Sequence, residues 1–325
     1  MTIRRRRFLQ LVAGATVLPA LPRVAFAQAW PNRYIRLVVP FAAGGGGDAI
    51  ARPLANRLSE VWGQQVVIEN RGGAGGNVGA QMVAQSPPDG YTILLGGGMN
   101  LATNPTLYPT AYNPAVDLAP VSMVTVIPNL MMVPNSSPAR TVAEFIDHAK
   151  KNPGKVSFAS TGIGASPHLS GELFKRMAGI EMTHVPYRGA GPAMNDLIPG
   201  RVDAMFSNLQ GVLPQHRNGT VRGIAVTSAK RAAVAPDIPA IGETVPGYDV
   251  SGWWGLFVQV KTPEDIVARI HTDAVAALEH PSVKDRYETI GAPVVTSTAA
   301  ELGARLASET AKWGPIVKAA GIKPE

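Results

Sequence analysis

The sequence predicts an α/β fold of doubly wound sheets with ligand-facing turns at the strand ends. Two observations carry this. Short apolar runs of strand length alternate with segments of helical periodicity from Arg33 to about Leu130, and the pattern restarts near Thr141. Glycine-rich turns join strand to helix at four places along the chain. In that fold class the C-terminal strand ends face a crevice where ligands bind. A helix start aims unpaired N–H groups and a partial positive charge at what lies ahead of it, so these turns suit anions.

Taken in order, Ile35–Val39 reads as a buried strand, and Gly44–Gly47 allow a tight turn before a helix capped by Asp48. Gln65–Glu69 is a second strand, leading through Gly72–Gly76 to a helix near Asn77. Pro87–Gly90 is a turn before the strand Tyr91–Gly97, and Val121–Val126 is a further strand. Thr141 with Glu144 forms a capping box ahead of VAEFIDHAKKN. Strands then follow at Val156–Ser160, Met182–Tyr187, Val202–Asn208 and Val221–Ser228, with a helix entry at Gly191-Pro192. The apolar run Ser251–Val260 opens a mostly helical tail. Thr262-Pro263-Glu264-Asp265 predicts a boxed helix start with proline at N1, and Thr298–Glu301 starts the last helix.

The first 27 residues read as an export signal. Arg4–Arg7 precede Phe-Leu and an apolar stretch, and Ala25-Phe26-Ala27 presents small residues where an export peptidase cleaves. The adjacent arginines suit the twin-arginine route, with cleavage after Ala27 into the periplasm. Pro19 and Pro22 interrupt the apolar stretch, which falls short of the roughly 20 residues a membrane span needs. The whole chain has 30 basic and 23 acidic residues, but Met1–Ala27 holds five arginines and no acids. The remaining 298 residues carry 25 basic against 23 acidic groups, a net of +2 that gives no case for nucleic acid or a membrane surface. Cysteine is absent, which excludes disulfides, thiol catalysis and Cys-ligated metal centres.

The pocket candidates follow from the turns. Gly44, Gly45 and Gly46 let a ligand oxygen approach the backbone closely, Asp48 caps the helix behind them, and Phe41 and Ala42 lead into the turn. Ser160, Thr161, Gly162, Gly164, Ala165 and Ser166 sit at a strand end, where hydroxyls and N–H groups grip a carboxylate, and Ser166 before Pro167 is a helix cap. Gly189 and Ala190 repeat the design, with Arg188 beside them, and Asn100 follows Gly96–Gly98. Asp203 suits an ammonium group or a strand-edge role. His168 reads as a packing or capping residue, and Trp253 and Trp254 as core or hinge residues. No G-x-S-x-G elbow and no H-x-x-x-H pair is present, so neither hydrolase nor zinc chemistry has an anchor. One helix start offers an anion about 0.3–1 kcal/mol, or about 2 kcal/mol when sheltered, whereas micromolar affinity needs about 8 kcal/mol. Several turns must therefore converge.

VVPFAAGGGGDAIAR, ENRGGAGGNVGA, PPDGYT, NPGKVSFASTGIGASPHLSGELF, HVPYRGAGPAMNDL and SGWWGLF occur in this order. Together they resemble the substrate-binding proteins of the tripartite tricarboxylate transporter family, also called Bug proteins, over nearly the whole chain beyond the export signal. The resemblance implies a type II periplasmic-binding-protein-like flytrap of two Rossmann-like domains around a ligand cleft. It implies a discontinuous first domain (28–128 and 252–325), a second domain (129–251), a small organic carboxylate ligand and membrane transporter subunits as partners. A monomer without cofactor, metal or catalytic activity is expected. The family commonly has a polar residue where Ile163 stands, which favours a less polar ligand if that side chain faces the pocket. Two other readings stay open. Gly44-x-Gly46-x-x-Ala49 with Glu69 about 20 residues on fits a dinucleotide fingerprint, hence an exported NAD(P)-dependent oxidoreductase. Against it, Pro40–Ala43 separates strand from glycines by more than that fingerprint tolerates. The other is a surface adhesion or scaffold protein.

Overall fold

The computed structural model describes residues 30–41, 43–44, 46–187, 189–319 and 321–322. The predicted export segment and its cleavage site lie outside the described residues, as do Ala42, Gly45 and Arg188. The unit Arg33–Glu325 carries the fold.

Its strands form one nine-stranded sheet. The strand β1 (Ile35–Val39) lies parallel between β2 (Val66–Asn70) and β3 (Thr92–Gly97), as alternating βαβ units require. Helices α1 (Gly46–Trp62) and α2 (Asn77–Ala84) make those crossovers. In the other half, β5 (Ser157–Ser160) lies parallel between β6 (Thr183–Pro186) and β7 (Ala204–Asn208). Two long strands join the halves. β4 (Leu118–Val133) is antiparallel to β9 (Ser251–Gln259) from Leu118 to Pro128, then pairs with β7 and β8 (Arg222–Val226) from Asn129 to Val133. The sheet is therefore mixed, where alternation alone predicts purely parallel pairing.

The length of β4 also differs from the expected Val121–Val126. Pro120 and Pro128 resemble strand breakers, but the ladder slips register between Pro120 and Ser122 and so accommodates the missing donor. At about 3.3 Å per residue, its 16 residues reach about 50 Å, long enough to belong to both halves.

Helices cover the sheet. α3 (Gly98–Leu107) follows β3 directly and packs against α11 (Ala299–Ala319), which also lies on β4. α4 (Pro114–Asp117) enters β4, and α5 (Val142–Lys151), α6 (Ser166–Ala178), α7 (Ala190–Leu197) and α8 (Leu209–Arg217) serve the other half. α9 (Glu264–Glu279) packs on α1, and α10 (Pro281–Thr289) closes beside it. The core is filled by Phe145, Phe158, Phe174, Phe206, Tyr248 and Trp253, all essentially inaccessible to solvent.

Local capping follows the sequence at two ends and departs from it at a third. Thr141 Oγ1 accepts the Glu144 N–H while Glu144 returns to the Thr141 N–H, completing the box. Thr141→Ala is expected to cost about 1 kcal/mol, read as a lower urea midpoint at unchanged slope. Thr298 and Glu301 make the same exchange ahead of α11. At α9 the expected box is absent: Pro263 is the N-cap, and the Thr262 hydroxyl instead donates to the Gln259 carbonyl.

Candidate functional site

The C-terminal ends of β1, β3, β5 and β7 and the segment after β6 all give out onto one cavity of about 490 Å³. Four helices begin there with their N-cap residue in the lining, Gly97 for α3, Ala165 for α6, Gly189 for α7 and Asn208 for α8, and Gly46 and Gly47 bring the first turn of α1 to it as well. None of these four starts has a side-chain cap; of the helices that begin elsewhere, α4, α5 and α10 are each capped by a side chain, and α2 and α9 are not. An uncapped start leaves N–H groups unpaired and the dipole uncompensated, so four such termini make the cavity electropositive. No Asp, Glu, Lys or Arg lines it among the described residues.

Glycines shape the walls. A Cβ on Gly47 would come within 2.6 Å of the Trp254 ring, and one on Gly98 within 2.0 Å of the Trp253 ring. Only hydrogen at these positions lets the indoles stand against the helix starts. Phe41 meets Trp254 edge to face with centroids 5.5 Å apart, so Phe41, Trp253 and Trp254 give the cavity an aromatic side. Trp253 is thus a cavity wall as well as core, and the half-buried Trp254 is a cavity wall, roles that their apolar neighbours concealed.

A polar network sets the opposite side. Asn129 of β4 receives Asn208 Nδ2 (2.9 Å) and the Ser166 hydroxyl (3.3 Å) on its Oδ1 and donates to Ser170 Oγ (2.9 Å). This ties the starts of α6 and α8 to one strand residue. Behind the loop between β5 and α6, two histidines stack with centroids 3.7 Å apart. His168 Nδ1 accepts the Gly164 N–H (3.1 Å), and His184 Nε2 lies 2.7 Å from Ser160 Oγ. Burial foremost pushes both rings down, His168 to about 3 and His184 to about 4, with the mutual His184 charge and Lys175 adding for His168, and Lys175 for His184. Both are neutral at physiological pH, and the Gly164 bond fixes the His168 tautomer with Nδ1 unprotonated.

Of the sequence candidates, the structure brings Phe41, Gly44, Gly46, Asn100, Thr161, Ala165, Ser166, Gly189 and Ala190 to the cavity. Ala42 and Gly45 lie outside the described residues. Five candidates stand elsewhere. Asp48 is the third residue of α1 and reaches back to accept the Gly44 N–H (3.0 Å) while pairing with Arg52 (2.8 Å). Burial works to raise its pKa, but the Gly44 and Arg52 bonds outweigh it and hold the carboxyl below its ordinary value. Ser160 is turned to His184, away from the cavity, and Gly162 lies beneath it in the loop. Gly164 faces Leu107 and Thr103 of α3, whose Oγ1 donates to its carbonyl (3.3 Å). Asp203 is at the wrong end of β7: it precedes the strand, and its carboxylate takes the Ser157 N–H and hydroxyl, both at 2.8 Å. Ser166 begins α6 without capping it, and Ile163 is not in the lining, so it gives no sign of ligand polarity. Glu69 is held by Arg71 (2.8 Å) outside the cavity, which removes the ribose acid of the dinucleotide reading.

The residues that sequence reasoning missed are Gly97, Met99, Pro167, Ser207, Asn208, Gln210, Gly211, Gly252 and the two tryptophans, whereas Gly47 and Gly191, which complete two of the glycine turns read from the sequence, line the cavity as well. The strand Val202–Asn208 was legible, and the rule that ligands gather at strand C-ends, applied to it, points to Ser207 and Asn208.

A mixed α/β sheet in two halves, with helix starts from both converging on one cavity, is the architecture of a solute-binding receptor. Residues 50–322 match the tripartite tricarboxylate transporter family receptor. A UPF0065 protein from the tcbD–tcbE intergenic region of Pseudomonas sp. strain P51 is 37% identical over 97% of this chain and 94% of its own length. Two solved structures are also similar. An R. palustris protein with adipate is 40% identical, with TM-score 0.84 over 91% of this chain and 100% of that one. MatC from Rhodopseudomonas palustris with bound malate is 32% identical, with TM-score 0.80 over 89% of this chain and 100% of that one. The chain belongs to the tripartite tricarboxylate transporter receptor family.

Proposed function

We propose that this protein is a periplasmic receptor that captures one small organic carboxylate between its two halves and delivers it to the membrane subunits of a tripartite tricarboxylate-type transporter. The observation that carries this reading is the convergence of four uncapped helix starts on a cavity without carboxylates among its described lining. Sheltered termini contribute about 2 kcal/mol each, and charge-assisted bonds to their N–H groups about 1.5–3 kcal/mol, which together reach the scale of micromolar binding. The ligands of the two R. palustris neighbours, adipate and malate, are both dicarboxylates and support the same class here. A cavity of about 490 Å³ has room for such an acid.

In this reading 28–128 with 252–325 forms one closing body and 129–251 the other, joined where β4 and β9 run side by side. Residues 1–27 are the signal that exports the chain, removed after Ala27. Phe41, Gly44, Gly46, Asn100, Thr161, Ala165, Ser166, Gly189 and Ala190 contact the ligand, with Trp253 and Trp254 excluding water. No helix among the described residues is long and apolar enough to cross a membrane, which suits a receptor that docks on membrane partners. Titration calorimetry against a panel of mono-, di- and tricarboxylates is expected to give one-to-one binding with at least one member and quenching or enhancement of Trp fluorescence. Silence across the panel, from protein shown by circular dichroism to be folded, rejects the proposal.

A further inference from the structure

We infer that Gln210 is a specificity determinant, selecting organic acids that carry a hydrogen-bond donor, a hydroxyl or a carboxamide, beside the carboxylate. The inference rests on the carboxylate-receptor reading above and sharpens it. Gln210 is the second residue of α8 and lines the cavity. Both Oε1 and Nε2 of its amide are buried without a hydrogen-bond partner among the described residues. The amide reaches across to the first turn of α1, where a Cβ on Gly46 would lie 3.0 Å from Nε2. Ser166 and Asn208, its polar neighbours in the lining, are committed to Asn129.

A buried primary amide offers two donors and one acceptor and needs both kinds of partner. The Nε2 hydrogens are satisfied by a ligand carboxylate. The Oε1 oxygen is not, because an ionised carboxylate has no donor. A plain dicarboxylate therefore leaves a buried acceptor orphaned, whereas a hydroxy acid pairs its carboxylate with Nε2 and its hydroxyl with Oε1. A carboxamide does the same through its own N–H and C=O. Turning the amide end for end exchanges the two partners and leaves the requirement unchanged. Sites built to bond a hydroxyl reject the analogue that lacks it, and one orphaned group is worth about tenfold or more in affinity.

The test compares matched acids by titration calorimetry: succinate with malate, and glutarate with 2-hydroxyglutarate and glutaramate. The unsubstituted chain is expected to bind the donor-bearing member at least about tenfold more tightly within a set. In Gln210→Met, which keeps the length of the side chain and removes both polar ends, the ratio is expected to fall close to one, chiefly because the plain acid gains. Gln210→Leu, carried in parallel, gives the same readout should the methionine variant fail to fold. A preference that survives both variants, or a plain acid favoured by the unsubstituted chain, overturns the assignment while leaving the receptor reading standing. Folded protein that binds no acid of any set overturns the receptor reading, and the role of Gln210 with it.

Discussion

Gly98→Ala is expected to abolish carboxylate binding and to lower stability by about 1–3 kcal/mol. Alanine is ordinarily favourable in a helix, and Gly98 has no left-handed backbone to protect, so propensity alone predicts a gain. Sterics reverse the sign. The added Cβ would stand 2.0 Å from Trp253 Cε2, 2.1 Å from Cδ2 and 2.2 Å from Cζ2. These atoms belong to a rigid ring on a central strand, not to the tip of a flexible chain. The Arg305 guanidinium lies 5.5 Å from the same ring. Either the start of α3 recedes or the indole moves, and in both cases the wall and one helix terminus of the cavity are lost together. Calorimetry and thermal unfolding of the variant read the two effects separately. Unchanged affinity together with an unchanged midpoint would falsify the close packing of α3 on Trp253.

Acid lability is the second large effect, and it originates in the histidine stack. His168 and His184 have folded-state pKa values of about 3 and about 4 against an ordinary value of 6.5. Above pH 6.5 the rings are neutral in both folded and unfolded chains, and no penalty exists. As the pH falls below 6.5 the unfolded chain takes up protons that the folded chain refuses, so stability declines. The slope is about 1.4 kcal/mol per pH unit for each ring, continuing to about pH 4 for His184 and lower for His168. Neighbouring charges bear on this window, since Lys175 disfavours both imidazolium ions while Glu172, 3.8 Å from His168 Nε2, is itself held by Lys175 at 2.8 Å. His184→Phe preserves a ring against His168 and Phe158 but removes one titration. Its stability, measured by urea at pH 7, 6, 5 and 4.5, is expected to fall about half as steeply in excess of the shared carboxylate background. Equal slopes in the two proteins would show that the stack does not govern the acid limb. Because His168 Nδ1 holds the Gly164 N–H, protonation of the folded ring, near pH 3, also loosens the loop that presents Thr161 and Ala165, so ligand affinity is expected to weaken only there and not between pH 6.5 and 4.

The strands and most helix starts were readable because they obey local rules. Ile35–Val39 is apolar except for Arg36 and lies largely buried in the sheet, and the Thr141 and Thr298 boxes depend only on residues three apart. What the sequence concealed is long-range. The extent of β4 was masked by Pro120 and Pro128, the first tolerated through a register shift that only pairing with β9 reveals. The candidate site divided in the same way. Glycine turns announce themselves, so Gly44, Gly46, Gly189 and Ala190 were found. Direction along a strand does not announce itself for a polar side chain, so Asp203 was read at the crevice though it lies at the far end of β7. Gln210 carries no local signal at all. The role inferred for it rests on the absence of a hydrogen-bond partner among the described residues, a property of the folded surroundings and not of the string Leu209–Gly211.

The lack of charged side chains among the described residues of the cavity has a consequence for how such a receptor changes over generations. On the proposed reading its hold on an anion comes from main-chain groups, and no substitution of a wall residue deletes a peptide N–H, proline excepted. The surrounding aromatic and amide side chains are therefore free to drift and to remodel which cargo fits, while the grip on negative oxygen is inherited with the backbone itself. Relatives sharing only about a third of their residues with this chain, as MatC does at 32%, can diverge in cargo without first having to reinvent attraction.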